Sequence, residues 1–196
     1  MKLANVHHWV FDMDGTLTIA THDFPAIRRA LEIPAEADIL SHLAALPEVE
    51  AAPKRHWLLE HERELARAAR PAPGACELLQ ELCARGYRLG MLTRNAHELA
   101  VMTLKVVGLD HCFASDDILG RDEALPKPDP CGLLHLARKW NVTPSDLVMV
   151  GDFRNDLECA RAAGAYGILV NTPENLWPEL ADLYVRDCAE LKRLIG

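Results

Sequence analysis

Short apolar runs alternate along most of the chain with longer stretches of helical periodicity. The runs are rich in β-branched and aromatic residues, which is typical of buried strands. This alternation predicts an α/β fold, a Rossmann-like parallel sheet with helices on both faces. The predicted strands lie near residues 6–11, 87–92, 112–115, 147–151 and 166–170. The predicted helices cover residues 74–85, 95–107, 129–140, 156–163 and 188–195, and helix-ending glycines stand at Gly86, Gly108 and Gly164.

Residues 18–72 interrupt the alternation, because they contain no strong strand signal. A structureless loop of this length is uncommon in a compact domain. The apolar spacing instead predicts helices near 24–32, 36–46 and 51–69. We therefore predict a core domain of residues 1–17 and 73–196, with residues 18–72 inserted after the first strand as a small α-helical cap.

Asp12 and Asp14 follow directly on the first predicted strand, and Gly15 permits a sharp turn after them. In open α/β sheets, ligands bind outside the carboxyl ends of the strands. Two carboxylates so close together repel each other, and a divalent cation such as Mg²⁺ relieves that repulsion. An ordinary Asp/Gly turn after a strand is the competing interpretation.

Two further segments place polar groups at strand ends or in stiff loops. Thr93 ends the second long strand, and Asn95 is predicted to cap the following helix, with Glu98 in capping-box spacing. A hydroxyl group and free helix N–H groups suit phosphate oxygens. Lys127 lies between two prolines that hold its backbone stiffly, as expected of a lysine preorganised to neutralise a phosphate. A proline-rich loop that enters the helix from about Asp129 is the competing interpretation, and both can hold together.

Asp152 ends the strongly apolar run 147–150, where it is placed to complete a metal site with Asp12. Asp156 opens the next predicted helix. It is expected either to bond Lys127 or a metal-bound water, or merely to cap that helix.

Together these segments resemble the four signature motifs of the haloacid dehalogenase-like hydrolase superfamily. Asp12 and Asp14 match the first motif, Thr93 the second, Lys127 the third, and Asp152 with Asp156 the fourth; the resemblance spans roughly residues 6–171. The helical insert resembles the C1 cap of this superfamily, and the closest-looking members are phosphoglycolate phosphatase-like. One departure is Phe153, where many relatives carry a small hydroxyl residue.

The resemblance implies a role for each matched residue. Asp12 is the nucleophile that becomes an aspartyl phosphate, and Asp14 protonates the leaving group and then activates water. Thr93 binds a phosphoryl oxygen and Lys127 offsets negative charge. Mg²⁺ is held by the Asp12 side chain, the Asp14 backbone carbonyl and the Asp152 side chain. Contacts to phosphate or substrate are expected from Gly15, Thr16, Arg94 and Asn95, and the candidate selectors in the cap are His22, Arg55, Arg63 and Arg67.

The function expected from this set is a Mg²⁺-dependent phosphatase that acts on a small phosphorylated metabolite. The dehalogenase and phosphonate-cleaving branches resemble this chain but lack an aspartate at the position of Asp14. A phosphomutase of the β-phosphoglucomutase type would use the same core. A receiver-like phosphoacceptor module is a third interpretation, which Asp14 and the helical insert both disfavour.

Composition narrows the range of partners. The 196 residues carry a net charge of −8, which argues against nonspecific binding of nucleic acid. Neither a signal peptide nor a membrane-length apolar run is evident, so no membrane partner is expected. The six cysteines show no metal-ligand spacing, and a reducing cytoplasm suits them best. The sequence leaves the oligomeric state open.

Overall fold

A computed structural model, which describes residues 3–195, contains a sheet of six parallel strands. The strand order is β3-β2-β1-β4-β5-β6, so β1 lies between β2 and β4. The predicted α/β, Rossmann-like fold is thereby confirmed. The strands are β1 (His8–Phe11), β2 (Arg88–Leu92), β3 (Ile118–Leu119), β4 (Leu147–Gly151), β5 (Tyr166–Leu169) and β6 (Leu183–Tyr184).

Five of the helices cover the two faces of this sheet. Successive strand residues point to opposite faces, so each strand contributes side chains to both layers of packing. Trp9 and Phe11 of β1 join one buried cluster, whereas Val10 between them joins another. The first cluster contains side chains of α4 (Ala75–Ala84), α5 (His97–Val106) and α8 (Cys188–Ile195). The second contains side chains of α6 (Cys131–Trp140) and α7 (Arg154–Ala163).

The segment between β1 and α4 forms three helices, namely α1 (Phe24–Ala30), α2 (Ile39–Ala45) and α3 (Glu48–Arg67). They have a small apolar cluster of their own, which includes Ile27, Leu43 and Leu58. The two ends of the segment meet, since Thr18 forms an isolated antiparallel bridge with Pro71. The inserted segment therefore leaves the core and returns to it at one point.

The structure corrects two details of the predicted sheet. The strand expected at 112–115 is wrong, because 3-10 turns occupy Asp110–Cys112 and Ser115–Asp117, and the real edge strand is β3 at 118–119. Strand β6 was not predicted. Helix ends at Gly86, Gly108 and Gly164 are confirmed, since each glycine has φ between +72° and +78° just after a helix.

Within residues 3–195, no helix has both the length and the apolar character needed to cross a bilayer.

Candidate active site

The ends of three neighbouring strands carry the polar residues of the site. Asp12 follows β1, Thr93 follows β2 and Asp152 follows β4. Because these strands are adjacent and parallel, their carboxyl ends open at one edge of the sheet. Lys127 comes from the loop between β3 and α6. The fold thus gathers side chains that are far apart in sequence.

Lys127 lies between two carboxylates at the centre of the site. Its Nζ atom is 2.5 Å from Oδ1 of Asp12 and 2.6 Å from Oδ1 of Asp156. Burial lowers the pKa of Lys127, but the Asp12 and Asp156 carboxylates outweigh burial, so the pKa is raised and the lysine stays charged. Asp156 also accepts a bond from the Phe153 backbone N–H at 3.1 Å, so it both pairs with the lysine and caps α7.

The carboxylates of Asp12, Asp152 and Asp156 form a cluster in which one oxygen of each lies within 4.8 Å of the others. Burial first, and then the charges of Asp12 and Asp156, raise the pKa of Asp152 to about 7. Burial likewise raises the pKa of Asp156 to about 6, although Lys127 opposes this. One lysine cannot balance this negative charge. Hard oxygen ligands with surplus negative charge are what Mg²⁺ prefers, so the residues fit the ion.

Asp14 lies apart from this cluster and faces the insert. Its Oδ2 accepts a bond from Asn95 Nδ2 at 2.6 Å, and its Oδ1 is 3.9 Å from His22 Nδ1. Burial, followed by the Asp12 charge, raises the pKa of Asp14 to about 7, while the Asn95 bond acts in the opposite direction. A carboxyl group with this pKa is partly protonated at neutral pH, as a proton donor must be.

The prediction that Asn95 caps α5 is wrong. The helix begins at His97 with Ala96 before it, and no side chain caps this end. The Asn95 amide instead donates to Asp14, and the Glu98 carboxylate pairs with Arg63 at 3.0 Å. Thr93 is buried, and its Oγ1 accepts the Asn95 backbone N–H at 3.2 Å.

The loop after β1 packs tightly against Asp152. Gly15 has φ of +86°, and a Cβ atom on it would lie 2.2 Å from Oδ2 of Asp152. Thr16 Oγ1 donates to Asp152 Oδ1 at 3.2 Å. Asn171 Nδ2 donates to the carbonyl oxygens of Gly15 and Thr16, both at 2.8 Å. Asn171, which follows β5, was not predicted. It is far from this loop in sequence and contacts it only in the folded protein.

A cleft of about 400 Å³ lies between these residues and the insert. Of the four candidate selectors, His22 lines it, whereas Arg55, Arg63 and Arg67 are not among its lining residues. Arg55 pairs instead with Glu48 of α3, Arg63 pairs with Glu60 of α3 and Glu98 of α5, and Arg67 is exposed. Arg94 and Asn95, from which contacts to phosphate or substrate were expected, also line the cleft. Lining residues that sequence reasoning had not selected include Phe24, Arg28, Asp38, Leu58 and Glu62.

Comparison with known proteins identifies the family of this chain. The family model of haloacid dehalogenase-like hydrolases matches residues 33–164, which is more than half of the 196 residues. The chain belongs to the haloacid dehalogenase-like hydrolases. The matched span contains Thr93, Lys127, Asp152 and Asp156, which are four of the residues at the strand ends and beside them.

Two relatives match this hydrolase over nearly its whole length. An uncharacterised hydrolase of Saccharomyces cerevisiae is 31% identical over 201 residues, covering 98% of this chain and 92% of the yeast protein. A phosphoglycolate phosphatase of Chromobacterium violaceum is 32% identical over 222 residues, covering 100% of this chain and 99% of that protein. The crystal structure of a hydrolase from Pseudomonas syringae is 23% identical, with a TM-score of 0.78 over 95% of this chain and 96% of that one, which shows a shared fold.

Proposed function

We propose that this hydrolase is a Mg²⁺-dependent phosphatase that hydrolyses small-molecule phosphate monoesters through an aspartyl phosphate on Asp12. The observation that carries the proposal is the contact of Lys127 Nζ with Asp12 Oδ1 at 2.5 Å in a nearly buried site. A carboxylate held beside a fixed positive charge, at the open edge of a parallel sheet, suits nucleophilic attack on phosphorus.

The first step makes one bond and breaks another. An Asp12 carboxylate oxygen bonds to phosphorus, and the bond between phosphorus and the ester oxygen breaks. Asp14, whose pKa is near 7, donates its proton to the departing alkoxide. Lys127 and the Thr93 hydroxyl group stabilise the negative charge of the phosphoryl oxygens.

In the second step, Asp14 takes a proton from water, and the water oxygen bonds to phosphorus. The bond between phosphorus and Asp12 then breaks, which releases inorganic phosphate and restores the carboxylate. Mg²⁺ bound by the side chains of Asp12 and Asp152 and the backbone carbonyl of Asp14 would offset charge on the phosphoryl group. Asp156 keeps Lys127 in position.

Residues 18–72 form the cap in this proposal, and residues 1–17 and 73–196 form the core. The terminal residues 1, 2 and 196 lie outside the described part of the chain. The separate apolar cluster of α1 to α3 and the bridge between Thr18 and Pro71 support the boundaries.

Six free cysteines support a reducing, cytoplasmic location.

A phosphate-release assay with Mg²⁺ over a panel of metabolite phosphates tests the proposal. Relatives named phosphoglycolate phosphatase make phosphoglycolate the first substrate to try, and p-nitrophenyl phosphate serves as a general reporter. We expect Asp12→Asn and Asp14→Asn each to lose turnover. Full activity in Asp12→Asn would remove the covalent route, and an isomer formed without free phosphate would support a phosphomutase instead.

A further inference from the structure

The cleft above the phosphoryl site has two kinds of wall. One wall is apolar and comes mostly from α1, α2 and α3, with Phe24, Ile27, Ile39 and Leu58 among its residues. Charged side chains form the other. An alcohol leaving group that occupies this cleft therefore meets both carbon surface and charge.

Arg94 directly follows Thr93 in the sequence, and its side chain lines the cleft. One terminal nitrogen lies 2.5 Å from Oδ2 of Asp38, which precedes α2. Its Nε atom is buried and has no hydrogen-bond partner among the described residues. The terminal nitrogens of Arg94 are therefore the atoms that can meet a ligand in the cleft, whose far wall belongs to the insert.

Arg28 adds a second positive charge to the same cleft. Its Nε donates to the carbonyl oxygen of Ala37 at 3.0 Å, and within residues 3–195 it forms no ion pair. Glu62, which also lines the cleft, is held by two bonds of 3.0 Å from Arg121. Ala37 directly precedes Asp38, so two arginines and one aspartate meet just before α2, and this group of three side chains carries one positive charge in excess.

We propose that Arg94 and Arg28 form a subsite for a second anionic group on the leaving alcohol, and that Asp38 competes with this group for Arg94. The substrates that this hydrolase prefers are then phosphate monoesters that also carry a carboxylate or a second phosphate. This inference rests on the proposed phosphatase function and narrows its substrate class.

Asp38 is suited to such an exchange because its two oxygens have separate partners. Oδ1 accepts bonds from the backbone N–H and the hydroxyl group of Ser41, at 3.0 and 2.8 Å, and thereby caps α2. Oδ2 pairs with Arg94. A substrate anion can replace Oδ2 at Arg94 while the cap of α2 stays intact, so binding does not require the insert to unfold.

Matched ester pairs that differ in one charge test the inference on the Mg²⁺-loaded enzyme. Phosphoglycolate is compared with 2-hydroxyethyl phosphate, and 1,3-propanediol bisphosphate with 3-hydroxypropyl phosphate. The first pair probes a carboxylate and the second a phosphate. We expect kcat/KM to favour the anionic member of at least one pair by about tenfold, the effect of one charge-assisted hydrogen bond. Competition with p-nitrophenyl phosphate gives an affinity even for an ester that turns over slowly.

Three variants test whether the preference depends on Arg94 and on its pair with Asp38. Arg94→Gln is expected to lower the preference for the anionic member about tenfold, whereas Asp38→Asn, which keeps the cap of α2 but removes the competing charge, is expected to raise it. Arg63→Gln is the matched control, because it breaks a 3.0 Å pair between α3 and Glu98 of α5 away from the cleft. It should leave the ratio of the two kcat/KM values unchanged.

The inference and the proposed function fail in different ways. Equal kcat/KM and equal competition for both members of both pairs, with p-nitrophenyl phosphate still hydrolysed through Asp12, would overturn the inference alone. The same holds if Arg94→Gln keeps the wild-type preference. Failure to hydrolyse any ester, p-nitrophenyl phosphate included, would contradict the phosphatase itself.

Discussion

Individual residues at the ends of β1 and β4 are fixed by very close packing, and Gly15 is one of the tightest points. A side chain there would have to adopt a φ of +86° and would approach the Asp152 carboxylate to 2.2 Å. The chain can place Asp12 and Asp152 side by side only because position 15 has no side chain.

Gly15→Ala should therefore lose activity out of proportion to its effect on stability. We expect kcat to fall by about 10²-fold or more, because the Asp152 carboxylate must move away from Asp12. Steady-state kinetics and urea unfolding measure the two effects. Gly86→Ala is the matched control, since Gly86 has φ of +72° and no atom within 4 Å of the added Cβ. It should lose stability by about 1 kcal/mol and keep its kcat. Equal kcat losses in the two variants would contradict this account.

At the residue scale, the position of a polar residue could be predicted from the sequence where that residue directly ends a long buried strand. Asp12, Thr93 and Asp152 each follow such a strand, so their meeting depends only on strand order. Asn171, Arg28 and Asp38 were not selected, because their place depends on how loops and helices pack. Asn95 was predicted to cap α5, but its side chain donates to Asp14 instead. Capping-box spacing describes only the local chain and cannot reveal a partner that follows another strand.

Among the structural elements, α3 makes the principal polar contact between the insert and the loops of the core. Glu62 of α3 is nearly buried and receives two bonds of 3.0 Å from Arg121, which follows β3. Truncating one partner of a buried ion pair leaves the other charge without compensation.

Arg121→Met should destabilise the protein by about 3 kcal/mol, because it leaves the Glu62 carboxylate buried without a partner. Urea unfolding at neutral pH measures the change. The double variant Glu62→Leu with Arg121→Met should recover much of the loss, since the unpaired charge is gone. If the double variant is no more stable than Arg121→Met alone, the Glu62 charge is not the cause.

The elements also show which parts of the sheet a sequence pattern can reveal. Strands β1, β2 and β4 have four or five residues, and their apolar runs were recognised. Strands β3 and β6 have only two residues each, which is too short for any periodicity to show. The apolar pair Cys112–Phe113 gave a false strand because Phe113 is buried by packing from a turn.

At the scale of the whole molecule, the site buries several carboxyl groups together, and this burial favours their protonated forms. Burial raises the pKa of Asp14 and of Asp152 to about 7 and that of Asp156 to about 6, all from 3.8. The folded protein therefore holds these protons more tightly than the unfolded chain. Their contribution to stability is present at acid pH and is lost as pH rises through the folded values.

The metal-free protein should thus lose stability between pH 5 and 7, by on the order of 1 kcal/mol per pH unit. The lowered pKa values of His8 and His22 act in the opposite direction, but the three carboxylates outnumber them. Urea unfolding in EDTA measures the slope. Mg²⁺ at pH 7 should restore stability to the wild type but not to Asp152→Asn. A metal-free stability that rises steadily over this range would contradict the prediction.

The most direct test of the central claim is a burst experiment on Asp14→Asn with p-nitrophenyl phosphate and Mg²⁺. The nitrophenolate leaving group needs no proton donor, but hydrolysis of the aspartyl phosphate still needs Asp14 as a base. We predict a burst of one nitrophenolate per enzyme, with one phosphoryl group on the Asp12 peptide in acid-quenched mass spectra. A variant that shows no burst, or that carries the phosphoryl group on another residue, would contradict the account.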